Sequence, residues 1–394
     1  MKISFRSVLW ILFFLVLALL AVVGTIYKRN FTGLGPIPLR SAFAGRLPSV
    51  PDSDGRLFRF FYATNRANND TTFNERGNEL AKSITTGTFD VRISPYMQIQ
   101  PFVWFDEKSM EWKDRVELAE DKFQDQLRQA VQASPHKSVL VIVWGFRDWF
   151  QSAALKTAYT AYALDINTPV VLFDWPGNQG EGRHGYAASQ QVATQSAPDL
   201  ARTLSEISSA TGAENIWLMG SSLGCQTICD ALAESTEGKE ALPKLSHVVL
   251  SAPDVSAEAF DDQFAKGILA TSKHLTAYVS SNDRALLMSD WLNRGRRLGR
   301  KAQVMVPPEE RTDQYEFEEA LELLELQAKG ARNITLVDAT PINVLRNLHH
   351  FFTDSPVFFD DLYQRLLRPD EIVSRRLHSV RMREGTTYWI LWND

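Results

Sequence analysis

Six short apolar runs recur along the chain, KSVLVIVWGF, PVVLFDW, NIWLMG, LSHVVLSAPD, HLTAYVSSND and NITLVDAT, with helix-forming sequence between them. Each run holds about five to seven largely apolar residues in succession, the mark of strands covered on both faces. Helices are expected around Arg115 to Ala133, near Asp148 to Leu164 and, as one long region, from Tyr186 to Thr211. Strands of this kind alternating with helices leave few architectures open. The simplest is a mostly parallel, doubly wound α/β sheet, with functional residues just beyond the carboxyl ends of its strands.

The N-terminal part differs. RLFRFFYATNRA and the stretch from Ser83 to Phe105 read as a β-rich elaboration at residues 56–110, ahead of a core at 111–370 within a domain spanning 56–394. Before it, TGLGPIPLRSAFAGRLPSVPDSDG forms a linker at 31–55. Residues 1–30 contain Val8 to Tyr27, 20 uncharged residues, with Lys2 and Arg6 on one side and Lys28 and Arg29 on the other. A helix needs about 20 apolar residues to cross a bilayer, whereas a signal peptide has an apolar region of about 7 to 15 and a small-residue cleavage site. The run is therefore expected to be an uncleaved single-pass anchor in the cell membrane. Its flanking charges are balanced and assign no side.

With 44% apolar and 23% charged residues and a net charge of −5, the composition is that of a folded globular protein. It offers no Lys/Arg block to neutralise phosphates, so nucleic acid is not an expected partner. The acidic cluster around Glu309 to Glu325 reads as a solvated helix face. Cys225 and Cys229, four apart on one helix, read as small buried residues.

The run NIWLMG ends in Gly220-Ser221-Ser222-Leu223-Gly224, a Gly-x-Ser-x-Gly frame between a strand and a helix. That context is what a nucleophile elbow requires: glycines permit the tight turn and close helix packing, and the strained serine presents its hydroxyl above the sheet. Ser222 is the expected nucleophile, and the Leu223 amide at the helix start points into the same space. A serine nucleophile needs a base, and the base an orienting acid. On such a fold the chain order is serine, acid, histidine. That order excludes His136, His184 and His247, and His274 begins a strand. His349, His350 and His378 follow every candidate acid, and the adjacent His349 and His350, in the segment after the last apolar run, are the expected bases. Asp283 and Asp254 both stand at strand ends, and either could instead cap a helix; Asp283 is favoured because it follows the penultimate strand. A second oxyanion donor is expected at the Phe146 amide, where Gly145 allows close backbone approach; losing one such donor typically costs about 3 kcal/mol. Trp144, Phe146, Trp149 and Phe150 suggest an apolar acyl or alkyl pocket, or simply core.

FYATNRA with FNERG, VVLFDWPG, GSSLG, VVLSAPDV, YVSSNDRAL and HHFFTDSPVFFDDL occur in an order that resembles the bacterial α/β-hydrolase family of unknown function numbered 900, which is esterase- and lipase-like. The resemblance runs from about Arg56 to Leu362. It implies the α/β-hydrolase fold and a serine triad of Ser222, Asp283 and His349, and it selects His349 over His350. Two departures stand out. Trp144-Gly145-Phe146-Arg147 replaces the family's usual His-Gly-Tyr-Asn, and Ser221 stands where histidine is common. The resulting expectation is a membrane-anchored serine hydrolase of a small or lipid-like carboxylic ester, with thioester or amide as other bond types. No metal or organic cofactor is needed. The alternative is an envelope interaction protein that keeps the fold without catalysis.

Overall fold

The structure, a computed structural model of the 394-residue chain, describes residues 16–17, 57–68, 77–94, 97, 109–234, 242–300, 334–344, 346–369, 377–379 and 386–391. By contacts the chain divides into Met1–Ile37 and Pro38–Asp394. Of the first unit only Val16 and Leu17, both helical, are described. The expected anchor, the 31–55 linker and the acidic cluster thus fall almost wholly outside the described residues. Among those residues no helix is long and apolar enough to cross a membrane.

In the second unit the strands are β1 (Leu57–Arg66), β2 (Leu80–Ile93), β3 (Met110–Leu118), β4 (Ser138–Val143), β5 (Val170–Asp174), β6 (Asn215–Ser221), β7 (Leu245–Ser251), β8 (Ser272–Val279), β9 (Ile334–Asp338), β10 (Leu377–Ser379) and β11 (Thr386–Leu391). They form one 11-stranded sheet ordered β10-β11-β9-β8-β7-β6-β4-β5-β1-β2-β3. Pairing is parallel from β1 through β5, β4, β6, β7, β8 and β9 to β11, and antiparallel for β1–β2, β2–β3 and β10–β11. This is the mostly parallel α/β sheet expected from the apolar runs.

The sheet has two cores because successive side chains on a strand point to opposite faces. Leu140, Ile142 and Trp144 pack with α2 (Phe150–Leu164) and with a later helix at Pro356–Leu367. Val139, Val141 and Val143 pack with α1 (Glu120–Ala133) and with two helices at Ala197–Thr211 and Gly224–Glu234. β4 lies between β5 and β6, so the chain reverses direction across the sheet at this strand. The helices that follow β4 and β6 lie on opposite faces of the sheet, and at the carboxyl ends of two such strands a doubly wound sheet places its site.

Three local differences from the sequence expectations have simple causes. Arg115 lies in β3 rather than at the start of a helix because Met110–Leu118 pairs antiparallel with β2; a bulge opposite Asp90/Val91 puts Met110 and Trp112 in one core and Leu118 in the other. The single helix expected over Tyr186–Thr211 is two, α3 (Gly182–Gln195) and α4 (Ala197–Thr211). The break falls at Ser196 because Pro198 has no N–H to continue the ladder. Finally, the sheet continues beyond residue 370 into β10 and β11.

Buried His247 gives the fold a pH dependence. Its Nδ1 faces the Arg365 carbonyl at 3.1 Å, which can only accept, so the proton sits there, while Nε2 takes the Thr276 hydroxyl at 2.8 Å. Burial, then the neighbouring His274 and Arg365, pulls its pKa down to about 3. The unfolded chain takes up this proton near pH 6.5 and the folded protein does not. Stability is therefore expected to fall by about 1.4 kcal/mol per pH unit on acidification from about 6.5 toward 3 from this group alone. Denaturant melts of the wild type and His247→Gln at pH 7 and pH 4 should show the shallower loss in the variant.

Candidate active site

Ser222 follows β6 directly and adopts φ +51°. A non-glycine residue in the left-handed region costs roughly 1–2 kcal/mol and persists only where its surroundings enforce it. Here they do: the Ser222 amide donates to the Ser251 carbonyl at 3.0 Å, and its own carbonyl accepts from Asp254 at 3.0 Å and Cys225 at 3.1 Å. Gly224 and Gly145 are steric necessities, and Gly220 is crowded only by the end of a flexible side chain. A Cβ on Gly224 would lie 2.5 Å from the Trp144 and Val143 carbonyl oxygens, and one on Gly220 would lie 2.6 Å from Ile228 Cδ1. At Gly145, a Cβ would meet Ser222 Cβ at 2.8 Å and the Leu223 amide nitrogen at 3.2 Å. The loop after β4 thus lies against the turn after β6, bringing the Gly145–Phe146 segment beside Leu223. Neither the Phe146 nor the Leu223 amide donates to an acceptor among the described residues.

The acid and base expected from sequence also meet. His349 Nδ1 lies 2.7 Å from Asp283 Oδ2, with both residues buried. An ionised carboxylate only accepts, so Nδ1 carries a proton. The other Asp283 oxygen accepts from the Leu286 amide at 2.9 Å and caps the helix Arg284–Asn293; the acid serves as an N-cap too. His349 ends a short helical turn, Arg346–His349, after β9. Its ring stands edge-on to Phe352 at 5.7 Å, and Phe352 lies 6.3 Å from the Trp144 ring, one residue before Gly145. No hydrogen bond joins Ser222 Oγ to the His349 ring among the described residues.

Asp254 meets no histidine. Its Oδ2 accepts from the Tyr186 hydroxyl at 2.8 Å and its Oδ1 from Ser289 Oγ at 2.6 Å, with the Arg297 guanidinium as ion-pair partner at 3.0 Å. His350 packs its ring 5.3 Å from that of His349, and its carbonyl accepts from Thr353 and Asp354. Of the suggested aromatic pocket, Trp144 and Phe150 are core: the Trp144 indole donates to Thr157 Oγ1 at 2.8 Å, and Phe150 packs against Tyr62 at 5.1 Å. Phe146 is half-buried and Trp149 is 47% exposed. Ser221 is buried at the end of β6.

Sequence reasoning missed the residues that brace these loops. Asn343 is the clearest. Its Nδ2 lies 2.8 Å from the Leu348 carbonyl, 2.9 Å from Ser280 Oγ and 3.0 Å from Asn282 Oδ1, and its own carbonyl accepts from Asn282 at 3.1 Å. One amide thus ties the residue before His349, at φ +49°, to the residue before Asp283. Nothing in an isolated Pro-Ile-Asn-Val stretch signals this, because the contacts span about sixty positions.

Arg66 has a clearer signal, since it closes the FYATNR run. Its Nε bonds both Asp174 oxygens, at 3.0 and 2.8 Å, and Nη2 donates to the Asp148 carbonyl at 2.6 Å. The pair is fully buried, so removing one partner strands the other charge. Arg66→Ala is expected to cost about 3–5 kcal/mol of stability, and Arg66→Met with Asp174→Leu should regain part of it in a urea titration. The same contact steadies the loop that carries Phe146, whose neighbour Arg147 donates from its amide to Gly177 at 2.9 Å.

A family model described as "Alpha/beta hydrolase of unknown function (DUF900)" matches residues 119–356. A crystal structure of an Agrobacterium vitis S4 protein with a provisional hydrolase assignment aligns over 74% of this chain and 96% of its own length, at 13% identity and a TM-score of 0.32. The comparison with curated proteins returned no match.

Proposed function

The chain belongs to the DUF900 family of alpha/beta hydrolases, and from that premise we propose that it is a serine hydrolase of carboxylic esters acting through Ser222, His349 and Asp283. One observation carries the reading: a buried imidazole–carboxylate pair 2.7 Å apart stands at the same sheet edge as a serine in a left-handed conformation. Strain of that sort, enforced by surrounding backbone, marks functional sites.

In the proposed reaction the Ser222 hydroxyl oxygen attacks the ester carbonyl carbon as His349 Nε2 takes its proton. Asp283 holds the ring with Nδ1 protonated and stabilises the imidazolium that forms. The carbonyl oxygen becomes an oxyanion received by the Phe146 and Leu223 amides, both without protein acceptors among the described residues. Collapse breaks the bond to the alcohol, which leaves with the proton from Nε2, and Ser222 is acylated. Water repeats the sequence and releases the acid. Hydroxyl-to-imidazole bonds are often long in free enzymes and tighten when substrate binds, which fits the unmade Ser222–His349 bond. The side chains hold and move every proton the reaction needs, so no cofactor enters it.

The Val8–Tyr27 run, taken as an anchor, would tether this activity to a membrane and favour lipid-like esters. A fluorophosphonate probe tests the chemistry. Covalent label on the wild type that disappears in Ser222→Ala supports the hydrolase; a folded wild type that takes no label sinks it in favour of an interaction protein.

A further inference from the structure

Asp254 is an ionisable group held in the interior without a part in the proton transfers described above. Its carboxylate accepts from Tyr186 and Ser289 and pairs with the Arg297 guanidinium, while its backbone amide holds the Ser222 carbonyl. Tyr186 Oη also lies 2.7 Å from Ser289 Oγ, and Asn293 donates to the Ser289 carbonyl at 2.9 Å. Arg297 Nε reaches Ser289 Oγ as well, at 2.9 Å. Buried ion pairs are poor devices for stability, because desolvation offsets most of the attraction and apolar replacements often do as well. A fixed geometry is what such a cluster supplies.

Its members join the working parts of the site. Tyr186, on α3, stands edge-on to Phe146 with ring centroids 5.6 Å apart. Ser289 and Asn293 lie on the helix that Asp283 caps. Asp254 follows β7 and grips Ser222. Three loops at the carboxyl edge of the sheet are thereby set against one another at one buried point. Burial, then the Asp254 charge, pushes the Tyr186 hydroxyl up to about 12, so it remains a donor at working pH.

We propose that Tyr186, Asp254 and Arg297 are positioning residues that hold the Phe146 amide in register with the Leu223 amide, so that the tetrahedral oxyanion meets both donors at once. The proposal rests on the serine-hydrolase reading and adds to it the device that aligns the oxyanion site. Tyr186 is the contact through which the cluster reaches Phe146; Asp254 and Arg297 hold Tyr186.

The test uses the full-length protein and two readouts that report the transition state: kcat and KM on p-nitrophenyl acetate, and the rate of fluorophosphonate labelling, whose adduct is tetrahedral. Tyr186→Phe keeps the ring and loses the hydroxyl; Tyr186→Leu loses the ring contact. For Tyr186→Leu, kcat and the labelling rate should fall together by about ten- to a hundredfold, with KM within about twofold, since small misplacements near the reacting centre carry losses of that size. Tyr186→Phe and Asp254→Asn should fall by a smaller common factor, and Arg297→Lys should retain more activity than Arg297→Gln. A role in stability alone would lower the melting temperature and leave kcat of the folded protein unchanged. Should Asp254→Asn fail to fold, the Tyr186 pair carries the test. Label lost in Ser222→Ala but retained at wild-type rate in both Tyr186 variants overturns this proposal and leaves the hydrolase reading intact. A folded wild type that takes no label overturns both.

Discussion

Ser222→Ala is expected to lower ester hydrolysis by about 10⁶-fold, the loss seen when the nucleophile is removed from a triad that acts as a unit. The variant should also take no fluorophosphonate label. Its melting temperature should stay close to that of the wild type, because alanine occupies the same left-handed conformation at the same cost and the surrounding backbone bonds persist. Ser222→Gly sharpens the experiment. Glycine adopts φ +51° freely, so this variant should be equally inactive yet about 1 kcal/mol more stable. Strain maintained at the price of stability is the usual signature of a site selected for activity. A Ser222→Ala protein that turned over esters at a tenth of the wild-type rate would leave Ser222 without its assigned role.

Asp283→Asn is expected to cost about 10⁴-fold in kcat with the fold intact. Asparagine caps a helix as well as aspartate does, so the bond from Leu286 and the helix Arg284–Asn293 should survive. The side of the residue facing His349 changes instead. A carboxamide can present an N–H to Nδ1, which moves the ring proton to Nε2 and leaves no lone pair for the Ser222 proton. The comparison with Asp254→Asn decides between the two acids the sequence allows. Asp254 is bonded to Tyr186, Ser289 and Arg297 rather than to a histidine, so its loss should be far smaller than that at Asp283. Parallel kcat measurements on one chromogenic ester give the ranking, and the reverse order would reassign the acid.

The apolar runs and the Gly-x-Ser-x-Gly frame made the sheet and the turn at Ser222 legible, since both are local patterns that few structures satisfy. Chain order and position after the last apolar run narrowed the base to His349 or His350 and the family resemblance pointed to His349; the structure sets the His349 Nδ1 against Asp283. The aromatic residues around Gly145 illustrate the opposite case. Trp144 and Phe150 look like pocket walls in sequence and lie in the core, because side-chain direction depends on which face of β4 and α2 meets the opposing layer.

The sequence by itself determined the layered α/β architecture, the position of the turn that strains Ser222, and the short list of acids and bases, because each follows from periodicity, glycine placement or order along the chain. Tertiary structure alone decided that Asp254 is taken up by Tyr186, Ser289 and Arg297, and that Asn343 joins the two loops of the Asp283–His349 pair. The contacts of the Asp254 carboxylate link residues 35 to 68 positions apart, and a bond of that span is set by how strands and helices pack, which no local run of residues encodes.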